Sequence, residues 1–96
     1  MIFENTIGHQ FSASFTLDGS VVDLTGGTIT LRLELPDGTS ADHTAATTAE
    51  PGQAAYLTAD GDLTPAGKWR RQWVVELADG STYYSPIVAF NVMEAL

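Results

Sequence analysis

The sequence predicts an all-β domain, a sandwich or barrel of about seven strands, on three observations. Apolar residues recur at every second position, turn dipeptides punctuate those runs, and the punctuation falls at roughly ten-residue intervals. Phe11, Ala13, Phe15 and Leu17 alternate with Ser12, Ser14 and Thr16. Ile29, Leu31, Leu33 and Leu35 alternate with Thr30, Arg32 and Glu34. Successive side chains of a strand point to opposite faces, so strict alternation marks a strand with one buried face. A helix would place Ile29 and Leu33 together and turn Leu31 away.

Taken in order, the strands are expected at 9–17, 21–23, 28–35, 39–47, 53–58, 68–77 and 81–92. Asp18-Gly19, Gly26-Gly27, Pro36-Asp37-Gly38, Pro51-Gly52 and Asp60-Gly61 mark bends between them. Asp79-Gly80 separates two strand-like runs and predicts a hairpin, because Asp and Gly tolerate positive φ. The third strand is a core strand. The fourth, 39–47, is poor in large apolar residues and reads as an exposed edge protected by Asp42. Residues 63–67 have room for one helical turn. Pro86 predicts a kink or an edge position in the last strand, after which Val88, Phe90 and Val92 alternate inward. Residues 1–8 precede the first strand. Ile2 and Phe3 are large for a tail, and either cover one end of the core or form an N-terminal arm that docks on a neighbouring subunit.

Composition bounds the function classes. The chain has 96 residues, the size of one domain, and 44% of them are hydrophobic. The absence of cysteine removes disulfides, thiolate metal sites and cysteine nucleophiles. Twelve acids against four bases give a net charge of −8, which disfavours nucleic acid and anionic membranes as partners. No apolar run approaches the ~18 residues of a membrane helix. The N-terminus carries Glu4 ahead of any basic residue and does not read as a secretory signal, so synthesis in a cytoplasm is expected.

The sequence offers little for catalysis. His9 and His43 are the two histidines, and no serine lies in a nucleophile elbow. Asp60-Gly61-Asp62 puts two carboxylates in one turn but lacks the remaining ligands of a calcium loop. Gly26-Gly27 lacks the pattern of a phosphate cradle. No catalytic residue, metal ligand or cofactor site is assigned.

The densest chemistry is Lys68-Trp69-Arg70-Arg71-Gln72-Trp73, which holds three of the four bases. Trp73, Val75 and Leu77 read as core. Arg71 shares their face and needs either a cation–π contact between Trp69 and Trp73 or an acid at the rim. Trp, Tyr and Arg are enriched at interaction hot spots. Trp69, Arg70, Arg71, Tyr83 and Tyr84, with Ile2 and Phe3, are therefore the interface candidates. Adjacent in a strand, Tyr83 and Tyr84 cannot both face inward.

Read in order, Asp23-Leu24-Thr25-Gly26, Ile29-Thr30-Leu31-Arg32-Leu33, Pro36-Asp37-Gly38-Thr39, the segment from Leu63 to Trp73 and Ala78-Asp79-Gly80-Ser81 resemble the immunoglobulin-like domain of phage baseplate upper proteins. The resemblance runs from about residue 10 to residue 92. It implies an immunoglobulin-like antiparallel β-sandwich filling residues 1–96. It also implies a virion structural protein of a tailed phage or prophage, made in the bacterial host cytoplasm. Its partners would be capsid, neck, tail or baseplate subunits, with a homo-oligomer on the virion lattice compatible with that role. In baseplate proteins the domain usually opens a longer chain, whereas here the sequence stops at Leu96. The alternative of another class is an adhesion or carbohydrate-binding module on the virion surface, with Trp69, Tyr83 or Tyr84 stacking on sugar rings.

Overall fold

The computed structural model describes residues 2–48 and 50–95. Ten strands are present among them: β1 (Ile2–Phe3), β2 (Gln10–Ser14), β3 (Thr16–Leu17), β4 (Ser20–Val21), β5 (Thr28–Glu34), β6 (Ser40–Thr47), β7 (Gln53–Leu57), β8 (Gly67–Glu76), β9 (Thr82–Tyr84) and β10 (Val88–Met93). The chain is all-β, and no helix occurs among the described residues. Eight strands form one curled, mixed sheet with the order β1-β10-β8-β5-β6-β7-β2, and β9 pairs with the far half of β8. All its pairings are antiparallel except β1 with β10. The curl makes a half-barrel whose concave side holds the core.

The expected strands are found in part: the one expected at 21–23 is present only as Ser20–Val21, outside the main sheet, and three further changes occur. The first expected strand divides after Ser14. Phe15 donates its N–H to Gly52, and the chain then leaves the sheet as the β3–β4 hairpin. Asp18 and Gly19 form that turn with φ of 53° and 80°, the two positive values a tight two-residue hairpin requires. Leu17 is thereby carried out of the core and is exposed, against its expected inward position. The last expected strand divides at Pro86 into β9 and β10, both paired to β8, so the predicted kink is present at an outer position. Residues 2–3 add β1, which pairs with Val92 and Met93 of the same chain.

The fourth expected strand is not an edge. As β6, its residues 40–45 pair with β5 and residues 46–47 pair with β7. The small side chains that suggested an edge, Ala41, Ala45 and Ala46, instead let this strand carry the sheet around its bend. The helical turn expected at 63–67 is absent. The N–H of Ala66 donates to the Glu4 carboxylate at 3.2 Å, and Leu63 is fully buried beneath the segment.

Phe11, Leu31, Leu33, Leu63, Trp69, Trp73, Val75 and Val92 are among the side chains that fill the concave side. The two ends of the sheet meet across this core through aromatic rings. Phe11 of β2 lies 5.6 Å from Phe90 of β10, and Phe15 lies 5.9 Å from Trp73 of β8. Among the described residues β2 and β10 make no main-chain pairing, and side chains close this seam.

Candidate docking surface

β8 is the longest strand, and its alternation decides what each side of the sheet presents. Trp69, Arg71, Trp73 and Val75 point to the concave side. Lys68, Arg70, Gln72, Val74 and Glu76 point outward. Strand register then builds the outer face in rows. Arg70 aligns with Glu34 of β5 and Ser40 of β6, Gln72 with Arg32 and Asp42, and Val74 with Thr30 and Thr44. Tyr84 of β9 extends the row of Val74.

Register neighbours on this face are paired by charge. Arg70 donates through Nε and Nη2 to the two carboxylate oxygens of Glu34, both at 2.7 Å. Arg32 donates to the two oxygens of Asp42 at 2.9 and 3.2 Å. Bidentate geometry of this kind holds a guanidinium and a carboxylate coplanar. The hydrogen bonds from Arg70 and Arg32 hold Glu34 and Asp42 below the usual carboxylate range. Gln72 donates to the Ser85 carbonyl at 2.9 Å, which ties the break between β9 and β10 to β8.

The face is electrically neutral. Its three cations, Arg32, Lys68 and Arg70, are matched by Glu34, Asp42 and Glu76. The whole net charge of −8 therefore lies on the rest of the molecule. The convex outer surface, with its ordered opposite charges and Tyr84 exposed at one end, suits docking against another protein surface.

The structure divides the sequence-predicted patch. Arg70 and Tyr84 stand on the outer face. Trp69 does not: it is 1% exposed, and its Nε1–H donates to the Pro65 carbonyl at 3.0 Å. It is a core residue, because β8's alternation puts it on the side of Trp73 and Val75. Arg71 is half-buried on the concave side and lies over Phe11 and Phe90, at 5.7 and 5.8 Å from the ring centres. In place of the expected stack between Trp69 and Trp73, or of an acid at the rim, Arg71 meets Phe90 on the neighbouring strand β10 and Phe11 from across the seam. Tyr83 lines an apolar groove of 260 Å³ with Phe15, Leu17, Val22 and Val75. Ile2 is half-buried, and Phe3 is exposed beside Met93 on the edge strand.

The remaining candidates are occupied by structural contacts. His9 meets Phe11 edge-on at 4.7 Å, and His43 stacks on Tyr56 at 4.8 Å. Tyr56 donates its hydroxyl to Asp62, which also accepts the Ala59 N–H at 2.7 Å. Burial, and then the Asp62 carboxylate, push the Tyr56 hydroxyl up to about 12. Burial raises Asp62, but the bonds from Ala59 and Tyr56 outweigh it and hold the carboxyl below its ordinary value. The acidic turn thus closes on a tyrosine. Among the described residues no group of three or more His, Cys, Asp or Glu is placed to hold a metal ion. A broad depression of 830 Å³ lies between the 21–27 and 45–53 loops and has no histidine in its lining.

Sequence reading missed Glu34, Asp42 and Glu76 as parts of a surface. The outward alternation of Arg32 and Glu34 was visible, but which cation meets which acid depends on register between strands far apart in the chain. Comparison with protein-family models, curated proteins and solved structures finds no match to this chain.

Proposed function

We propose that the chain is a non-catalytic assembly protein of a tailed-phage virion, built as an immunoglobulin-like sandwich and docking on capsid, neck, tail or baseplate subunits. The observation that carries the docking role is the neutral outer face of β5, β6 and β8 on an otherwise acidic chain. An extended surface with charges of both signs can match a complementary protein surface, whereas small-molecule sites are concave and mostly apolar. The sandwich reading is supported by the change of neighbours along β6, which sets β7 and β2 against the β5–β8–β10 portion with Phe11 and Phe15 between them. The phage setting is supported by the resemblance of the ordered turn and strand motifs between residues 23 and 81. A repeating lattice supplies avidity, so each contact needs only modest affinity.

Mass spectrometry and cryo-electron microscopy of purified virions from the source phage or prophage test this. The chain is expected at fixed, repeated sites with the outer face buried. Its absence from virions, when it is abundant in the producing cells, overturns the assembly role. A signal on glycan arrays that is lost with Tyr83→Ala and Tyr84→Ala would instead favour the carbohydrate-binding alternative.

A further inference from the structure

We infer that the outer face of β8 docks on a second copy of this chain through a two-fold axis at Gln72. The inference names a partner for the face read above as a docking surface. It starts from the two outer-face charges left without an ion pair among the described residues. Arg32 and Arg70 are committed to Asp42 and Glu34. Lys68 and Glu76 are not, and they have opposite sign. They stand at the two ends of β8, each four residues from the uncharged Gln72.

That spacing is self-complementary. A two-fold axis through Gln72, lying in the face and perpendicular to the strand, runs two β8 strands antiparallel across the interface. It brings Lys68 of each copy to Glu76 of the other, so a single symmetric contact satisfies both free charges twice. Arg32 then approaches its symmetry mate, but its bidentate carboxylate neutralises it within each copy. Electrostatics permits this face. Two copies of net charge −8 repel, and the excess charge lies outside the β5–β6–β8 face, so neutral approaches neutral there.

The area available sets the strength. Three strands at a spacing of about 4.8 Å, each presenting about seven residues at ~3.4 Å, offer roughly 340 Å² per copy. Both copies together bury about 700 Å², the low end of transient contacts. The dimer therefore forms in the free chain at high concentration and dissociates on dilution.

The test is sedimentation velocity of the whole chain across a concentration series at low and high salt. It is applied to the native sequence, Lys68→Glu, Glu76→Lys and the double variant carrying both. Circular dichroism and urea midpoints check that each variant folds. The native chain is expected to dimerise reversibly, and salt to narrow the differences between the native and reversed chains. Each single reversal places like charges together twice and should weaken the dimer by roughly tenfold or more. The double variant restores both contacts with their signs exchanged and should return to within about threefold of the native constant. A chain that stays monomeric up to ~1 mM, above the affinity range of transient interfaces, overturns the inference. So does a dimer indifferent to the single reversals, or one the double variant fails to restore. The virion experiment fails independently. A chain present on virions but monomeric in solution loses only the dimer, and a dimer absent from virions loses only the assembly role.

Discussion

The two faces of β8 are made by the same ten residues and are held in different ways. On the concave side Arg71 lies over Phe11 and Trp73 meets Phe15, rings that only the curl brings near, while Trp69 packs on its register neighbour Phe90 at 6.1 Å and donates to Pro65 four residues earlier. On the outer face the contacts of Arg70 and Arg32 go to register neighbours that sheet pairing has already placed. The inner contacts create the shape, and the outer ones decorate it. Adjacent Arg70 and Arg71 show the difference most directly. Arg70 spends its charge on Glu34 in solvent, while Arg71 covers two rings at the seam where the sheet ends meet.

This difference is broken most severely at Trp69. Truncating a fully buried indole removes its packing, leaves a cavity and strands the Pro65 carbonyl. Trp69→Ala should cost about 3–5 kcal/mol, a large share of the ~5–15 kcal/mol that holds a typical domain. Urea unfolding followed by the fluorescence of Trp73 measures it. A loss no greater than that of Arg70→Ala would mean that β8 is not sided as described.

A second, smaller break lies at the Tyr56–Asp62 contact on the concave side. Tyr56→Phe removes a hydrogen bond to a carboxylate and should cost about 1–2 kcal/mol. It should also change the pH dependence at both extremes. Asp62 has a depressed folded-state pKa, so its contribution is present above the ordinary carboxylate value and is lost as pH falls through the folded one. Tyr56 is raised to about 12, so its contribution is present below the ordinary tyrosine value and is lost as pH rises toward 12. Urea midpoints collected from acid to alkaline pH should show both slopes in the native chain and a shallower pair in Tyr56→Phe. Identical profiles would remove Tyr56 as the cause.

Much of this inner side was legible in the sequence, and little of the outer side was. Ile29, Leu31 and Leu33 announced a buried strand by alternation alone, and Trp73 and Val75 did the same in β8. Asp79-Gly80 announced the β8–β9 turn, which Gly80 closes with a φ of 92°. Alternation assigns a side but not a neighbour, and the errors follow from that. Small residues in β6 look alike at an edge and at a bend. Alternation leaves Arg71 between a stack on Trp69 and Trp73 and an acid at the rim and does not foresee its actual rings, because Phe11 and Phe90 lie 79 positions apart and meet only when the sheet curls. Trp69 combined a residue type common at interfaces with a parity that buries it, and the parity decided. Lys68 and Glu76 carried a self-complementary spacing in plain view, but it gained meaning only when Arg70 and Arg32 proved to be paired elsewhere.

The mildest perturbation sharpens the comparison from the outer side. Glu34→Gln keeps the shape of the side chain and removes its charge, leaving Arg70 without its counter-charge. Exposed ion pairs contribute little, because water screens them and two long side chains must be ordered to make them. The urea midpoint at neutral pH should therefore move less than in either inner variant, and added salt should reduce the shift further. The effect of pH has a definite sign. Glu34 is held below its ordinary value by Arg70, so the native chain loses this contribution as pH falls through the folded value, and Glu34→Gln has nothing there to lose. The two midpoints should converge in acid and separate slightly above it. If Glu34→Gln instead destabilises as much as Tyr56→Phe, the outer pairs help to hold the sheet's curvature. The face would then be a structural layer of the fold, with less freedom to meet a partner.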